Sequence, residues 1–590
     1  MQLAGVGDAA SGVLMGGAAP VSGPFVFALA SAAADGAGEV PASLGPTRPL
    51  EPPASKRSKT RPVVSHPANE RASNDSATAF ASARVGMARP GAAFGFVGQD
   101  FEGRLPRMCP LLRLVTLACF VAAAFIGCLS YSSPASDAGA GAQDPDATVA
   151  ASDDGGATNL GTVTIARDAG TPISPLAFGQ NYWDWVDWSA NGVTGLTGTE
   201  TLVGGIHLNV IRAGGNNNDT NSPQVFDTAQ IDKFVAYCRT VGAEPILQVP
   251  LIANNVDGGA ASAQAAADMV TYANGTKGYG IKYWEIGNEP DLYSTAYDAG
   301  TAPLTAVDYC TQFHTYAAAM RAANAAAADG GAPIQLLGPE LSYKYVPGND
   351  WLTPFLDACK SDVDVVTIHR YPFSGAQTSI NGALQGAKAF QSTLTAVQAI
   401  VKAHARPNTP LGVTETNISY DYDHTKYTTA SSVAAPGTFY AALWTADALG
   451  VGLQNNLWTL AFWNLAETSA ASSVLGFIVA DQGGPQYYAE QMVSANLSGS
   501  VLTPAGVPGG FSIYASYDPS KASTSVVVIN KNTTSGSLTI AIDTFAPLSL
   551  DFPATSLSLV QVADGDAGSP HVVRYTADLA TASMPPQTIQ

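Results

Sequence analysis

The sequence predicts an α/β chain, a (β/α)8 TIM barrel with an appended C-terminal antiparallel β-sandwich. Eight short apolar runs alternate with helical segments across residues 173–483, the repeat that a barrel requires. No glycine-rich phosphate fingerprint follows the first run, which argues against a doubly wound sheet. After about residue 484 the pattern changes to FSIYASYD, SVVVINKN, SLTIAID and TSLSLVQVA, short alternating or β-branched runs separated by turn residues.

The elements follow in order. Residues 1–107 are rich in Ala, Gly, Pro and Ser and carry the basic run Lys56, Arg57, Lys59, Arg61 without helical or strand periodicity. Such a stretch cannot offset its ordering entropy, so it is expected to be disordered or a mis-called upstream extension. Residues 108–128 read as a signal peptide. Arg104, Arg107 and Arg113 flank the apolar run Leu114 to Ile126, which is short for a membrane span of about 20 residues. Phe125, Ile126, Gly127 and Cys128 resemble a bacterial lipoprotein cleavage box, which implies a lipid on Cys128 and a secreted or cell-envelope-anchored protein. Residues 129–160 form an acidic Ala/Asp/Gly tether. The lone strand GTVTIARD, within 161–172, has no place in a barrel and is expected to pair with the sandwich at 484–590.

The barrel strands are expected at Leu176–Gln180, Leu208–Arg212, Pro245–Leu251, Ile281–Gly287, Ile334–Gly338, Val363–His369, Leu411–Thr414 and Leu457–Trp463. One helix opens with Asp227 and Gln230 at capping-box spacing and stops before Gly242. Another opens at Thr305 with Asp308 three residues on.

Charge and cysteine usage narrow the function. With 28 basic and 47 acidic residues the formal charge is −19, so a phosphate-backbone partner is disfavoured and no nucleic acid is expected. Cys109 and Cys119 fall in the signal and Cys128 in its cleavage box. Cys238 lies on an apolar helical stripe and reads as core, and a Cys310–Cys359 bridge is left open by the spacing. His207, His314, His404 and His424 show no ligand spacing, so no metal or cofactor is expected.

Chemistry concentrates at two strand ends. YWEIGNEPDLY places Asn288 and Glu289 at the end of the fourth barrel strand, and LGVTETN places Glu415 at the end of the seventh, 126 residues on. Strands four and seven face each other across a barrel mouth, and strand C-termini form the active face. Two carboxyl groups about 5–5.5 Å apart are what retaining glycoside hydrolysis needs. Glu285 lies on the same strand face as Glu289 and is expected to form a structural ion pair with Arg212.

Asn288-Glu289-Pro290 and Thr414-Glu415 resemble the acid/base and nucleophile motifs of clan A glycoside hydrolases, which are retaining (β/α)8 enzymes. The resemblance extends to Arg212 in VIRAGGN, to His369 and Tyr371 in TIHRYP, and to Trp463 in LAFWNLAE. With the β-sandwich tail it points to families 39, 44, 51 and 79, and Arg212, Gly214, Gly215 and Asn216 most resemble family 44.

The resemblance implies Glu289 as general acid/base and Glu415 as ionised nucleophile, steadied by Tyr371 and Arg212. It implies Asn288 as donor to the sugar 2-hydroxyl, Trp463 as a flat platform, Arg212 and Tyr371 as further substrate-binding residues, and His369 as either a sugar contact or a support. The expected activity is hydrolysis of a plant-type or microbial polysaccharide or oligosaccharide through a glycosyl-enzyme intermediate, by a monomer. A transglycosylase, or a catalytically silent carbohydrate-binding envelope protein, shares these features. Trp183, Trp185 and Trp188 suit a sugar cleft or a packed aromatic loop equally.

Overall fold

The computed structural model describes residues 158–590, apart from 183–197, 221–226, 253–260, 294–303, 328–331, 347, 374–378, 421–433, 468–474, 544 and 567. The extension, the signal, Cys128, most of the tether, Trp183, Trp185, Trp188 and His424 lie outside the described residues.

Eight parallel strands close a barrel in chain order: Phe178–Tyr182, Val210–Ala213, Glu244–Val249, Tyr283–Ile286, Gln335–Leu341, Val365–Arg370, Leu411–Thr416 and Leu460–Phe462. Every expected run supplies its strand. Closure comes from the first strand, which pairs with the second (Gly179 opposite Val210) and with the eighth (Phe178 opposite Leu460).

Alternate residues of a strand point to opposite faces, so the strands stack side chains inside the barrel in layers. The lower layer is apolar: Val210, Ile246, Tyr283, Leu337 and Val365 cluster with Leu176 and Trp458. Two residues further along several of the same strands the buried side chains turn polar, as Arg212, Gln248, Glu285 and Thr367, joined by Asn181 and Thr414. This polar storey lies directly below the C-terminal rim.

The helices start and stop where local chemistry directs. Asp227 accepts from the Gln230 amide at 3.0 Å at the start of Thr228–Val241, and Gly242 ends that helix at φ 78°. Thr305 and Asp308 close a reciprocal capping box on Ala306–Ala326. Cys238 is fully buried in the core, as its stripe suggests. Cys310 and Cys359 form a disulfide, Cα–Cα 5.5 Å, that ties Ala306–Ala326 to Leu352–Cys359 and answers the question the spacing left open.

The tail is a two-sheet sandwich. A seven-stranded sheet runs in the order 171–172, 500–502, 511–518, 523–530, 556–563, 571–576, 587–588, and a three-stranded sheet in the order 158–165, 536–542, 548–552. The lone strand does join the sandwich, beginning at Thr158 inside the expected tether. It pairs in parallel with 536–542 (Val163 opposite Ile540), so the sandwich is not wholly antiparallel. The sandwich also begins later than expected. Residues Pro485–Ser494 form a helix packed on helix Phe439–Gln454 of the barrel, and the sandwich strands start at Ser500.

The larger sheet is buried on both faces. Ile513, Ala515, Val526, Val528, Val560 and Val562 fill the space between the sheets. Their neighbours Tyr514, Val527, Ile529, Leu557 and Leu559 pack into the barrel's core instead. Strands buried on both sides read as continuous apolar runs, which is why SVVVIN lacks polar alternation. Helix Phe439–Gln454 forms the seam, with Asp447 accepting from Tyr514 Oη at 2.5 Å and pairing with Lys531.

Candidate active site

Glu289 reaches the mouth through a tight turn. Gly287, at φ 75°, has the Tyr293 hydroxyl 2.6 Å from where a β-carbon would sit, so only glycine fits without displacement. Glu289 itself is left-handed (φ 45°), and its amide donates to the Glu340 carbonyl at 3.0 Å. Asp219 supports this turn from the short helix Asn216–Thr220 after strand two: it accepts from the Leu251 amide at 2.7 Å and from Tyr293 Oη at 2.5 Å. Burial pushes the Asp219 carboxyl up to about 7 against the pull of these bonds.

Glu415 arrives from the seventh strand beside His369 of the sixth, where a shift in register between Ile368 and His369 sets the two residues opposite each other. His369 Nδ1 lies 3.0 Å from Glu289 Oε1 and 2.7 Å from Glu415 Oε2. One ligand-type atom from each of the three side chains falls within 4.8 Å of the others. The strands therefore bring both carboxyl groups to one cleft. Their exposures are small, 18% for the Glu289 side chain and 9% for Glu415.

The two carboxyl groups differ electrostatically. Burial, with Glu415 close by, raises Glu289 above the ordinary carboxylate range despite the pull of His369. Burial would raise Glu415 too, but the His369 charge and hydrogen bond, with Arg212 beyond, hold it below that range. The Tyr371 hydroxyl also bonds to Glu415, and its ring meets Tyr420 edge to face at 6.2 Å.

Behind this pair stands Glu340, which the sequence reading passed over. It is fully buried at the end of the fifth strand and accepts from His369 Nε2 at 3.0 Å and from the hydroxyls of Thr367 and Thr414. Burial opposes its charge, yet the His369 bond and the Arg212 guanidinium keep it below the usual range. Its signal was present: LGPEL places an acidic residue near the end of an expected barrel strand, as YWEIGNE and LGVTE do.

Arg212 departs from expectation. Its guanidinium is fully buried in the polar storey, with Nε on Glu285 at 2.9 and 2.7 Å, Nη1 on Asn181 at 2.9 Å and Nη2 on Asn288 at 2.9 Å. Strand alternation turns it into the barrel below the rim, so it acts on Glu415 through its charge and is not placed to touch a sugar. The expected pair with Glu285 is present. Because a guanidinium only donates, Asn288 must present Oδ1 to it, which orients the amide. Asn181, also unforeseen, donates to the carbonyls of Thr414 and Phe462 at 2.9 and 3.1 Å and so links strands one, two, seven and eight.

His369 is fully buried, and both ring nitrogens face carboxylates, which favours support over sugar contact. Trp463 is half-buried beyond the eighth strand, with its indole over Gly215, where a β-carbon would lie 2.7 Å from the ring. His314 and His404 pair with Asp362 and Asp357 at the surface, away from this cluster. Among the described residues, Glu289, His369 and Glu415 are a group with one ligand-type atom each close enough to one another for a metal ion. The same atoms already satisfy one another as donor and acceptors.

No family model and no curated protein matches the sequence. Solved structures do match. A GH51 α-L-arabinofuranosidase from Thermotoga petrophila RKU-1 is 14% identical, with a TM-score of 0.52 over 68% of this chain and 99% of its own. A family 51 α-L-arabinofuranosidase from Bifidobacterium longum is 15% identical, TM-score 0.51, over 68% and 99%. A xyloglucanase of glycoside hydrolase family 44 from Paenibacillus polymyxa is 13% identical, TM-score 0.50, over 70% and 100%. Families 51 and 44 are two of the four to which the motifs pointed. The chain has the architecture of these enzymes, a barrel with a β-sandwich tail.

Proposed function

We propose that the protein is a retaining glycoside hydrolase, with Glu289 as general acid/base and Glu415 as nucleophile. The observation that carries this reading is the placement of the two carboxyl groups with His369, each offering an oxygen within 4.8 Å of the other two side chains. Retaining enzymes hold their carboxyl groups about 5–5.5 Å apart, whereas inverting enzymes leave about 6.5–9.5 Å for a water. The opposed pKa directions support the division of labour: an acid that keeps its proton and a nucleophile that has lost it.

Glu415 attacks the anomeric carbon while Glu289 protonates the leaving oxygen. Glu289, now ionised, then takes a proton from water as that water displaces Glu415. Asn288, its oxygen held by Arg212, offers its amide nitrogen to the sugar 2-hydroxyl, and Trp463 supplies the flat apolar surface. The substrate is a plant-type or microbial poly- or oligosaccharide, a reading supported by the arabinofuranosidase and xyloglucanase names of the structural neighbours. Secretion is part of the proposal, with a lipid at Cys128. The Cys310–Cys359 disulfide supports an oxidising compartment.

The test is Glu415→Ala on a panel of β-glucans, xyloglucan, xylan, arabinofuranosides and aryl glycosides. Hydrolysis should vanish, and azide should restore turnover as a glycosyl azide of inverted configuration. A fully active Glu415→Ala protein would remove the mechanism.

A further inference from the structure

We propose that Glu340 is a positioning residue that holds His369 doubly protonated, so that its single Nδ1–H follows the negative charge between Glu415 and Glu289 during turnover. The catalytic half of this inference rests on the retaining reading above; the protonation half does not.

Nε2 of His369 has Glu340 Oε2 at 3.0 Å, and Nδ1 has Glu415 Oε2 at 2.7 Å and Glu289 Oε1 at 3.0 Å. A neutral imidazole carries one N–H and one lone pair, so one of its nitrogens would face a carboxylate with like polarity. Only the imidazolium, a donor at both nitrogens, satisfies the acceptors on both sides. Glu340 cannot easily escape its share. It is sealed from solvent, and its oxygens also accept from Thr367 and Thr414.

Among the described residues, the charged and titratable groups around this unit come from five strands. Arg212 of strand two lies 3.8 Å from Glu340. Glu285 and Glu289 belong to strand four and its end, Glu340 to strand five, His369 to strand six and Glu415 to strand seven. The Tyr371 hydroxyl rests on Glu415, and Tyr345 Oη donates to the His369 carbonyl at 3.0 Å. Two cations, Arg212 and His369, thus face the carboxylates Glu340 and Glu415, while burial pushes the Glu285 carboxyl up to about 8 against the pull of Arg212 and Glu289 keeps its proton.

The consequence concerns the two half-reactions. In the first, a bond forms between Glu415 and the anomeric carbon, the glycosidic bond breaks, and the leaving oxygen takes the proton of Glu289. Glu415 has become a neutral ester and Glu289 a carboxylate, so the pair still carries one negative charge, now on the other residue. In the second, water bonds to the anomeric carbon, its proton goes to Glu289, and the ester bond to Glu415 breaks, so that Glu415 regains its charge. The same Nδ1–H, within reach of both oxygens, stabilises whichever is charged without any movement of the ring. Glu340 keeps that hydrogen in place by occupying the opposite nitrogen, as a carboxylate behind a histidine orients the ring.

The test uses the full chain with isotopically labelled histidine. The chain has seven histidines, and the His369 resonance is the one lost in His369→Gln. The wild-type His369 should remain an imidazolium at pH 8, where an imidazole of ordinary pKa, about 6.5, is almost wholly neutral. In Glu340→Gln the neutral form should appear by pH 8. Hydrolysis by that variant should fall about a hundredfold in kcat, with KM changed less than about threefold and the alkaline limb of the pH profile moved down, because His369 then loses its charge as pH rises.

A wild-type His369 that is neutral at pH 8 overturns the proposal. So does a Glu340→Gln protein with His369 still charged and an unmoved profile. If the variant does not fold, the wild-type titration still decides. A charged, Glu340-dependent His369 in a protein that cleaves no glycoside would support the protonation half and overturn the catalytic half.

Discussion

Arg212 and Glu285 form an ion pair with no solvent access, Nε of the arginine reaching both carboxylate oxygens at 2.9 and 2.7 Å. Removing one partner of such a pair leaves a buried charge uncompensated, at a cost of about 3–5 kcal/mol, whereas replacing both by apolar groups can be neutral. Arg212→Met should therefore lower the urea midpoint strongly, and Arg212→Met/Glu285→Met should recover only part of it, because Asn181, Asn288 and Glu340 lose the same guanidinium. Glycoside hydrolysis should stay lost in the double variant, because Asn288 no longer has the donor that orients it. Recovered activity would show that Arg212 serves stability alone.

On the proposed mechanism, the pH dependence of kcat/KM should be bell-shaped. Glu415 sits below 4.5 and must be ionised, so activity rises as pH climbs through its pKa. Glu289 sits above 4.5 and must be protonated, so activity falls as pH climbs through its higher pKa. Glu289→Ala, assayed on an aryl glycoside that needs no protonation to leave, should lose the alkaline limb of the first step. An alkaline limb that survives belongs to another group.

Glu490 offers a stability test away from the cleft. It is fully buried, receives a hydrogen bond from Gln180 Nε2 at 2.6 Å, and its other oxygen and Gln180 Oε1 have no partner. Burial pushes its carboxyl up to about 8 from 4.5. Because the folded pKa is raised, the folded state holds a proton that the unfolded state gives up. Stability is thus greatest below pH 4.5, declines as pH rises towards 8 and levels off beyond. Glu490→Gln keeps an acceptor for Gln180 and cannot ionise. It should raise stability at pH 8 by on the order of 2 kcal/mol and change little at pH 4. Equal effects at both pH values would mean that Glu490 is not the titrating group.

Gly450 breaks a general rule. Glycine to alanine inside a helix ordinarily stabilises by about 0.5–1 kcal/mol. At Gly450 the added methyl would lie 2.3 Å from the Tyr514 ring of the sandwich. Gly450→Ala should therefore lower Tm, with a cost of about 1–3 kcal/mol from overpacking. A higher Tm would show that Tyr514 swings aside and that the seam between barrel and sandwich is loosely packed.

The eight barrel strands, the Asp227 and Thr305 caps and the carboxyl groups of Glu289 and Glu415 at strand ends were legible in the linear order of residues. Each rests on local chemistry: apolar period, capping spacing, and the rule that strand C-termini form the active face. The parallel pairing of the lone strand and the helix at Pro485–Ser494 were not legible, because pairing direction and packing partner are set by elements far away in the chain.

The same division holds at the active site. Sequence alone placed two acids, an arginine, a histidine and a tyrosine on the correct strands. Only the closed barrel decided that Arg212 lies beneath the cleft, that Glu340 stands behind His369, and that one imidazole nitrogen serves both acids. The reason is geometric: strand alternation states that a side chain points inward, while its height above the apolar floor depends on the stagger of all eight strands and on the register shift at His369.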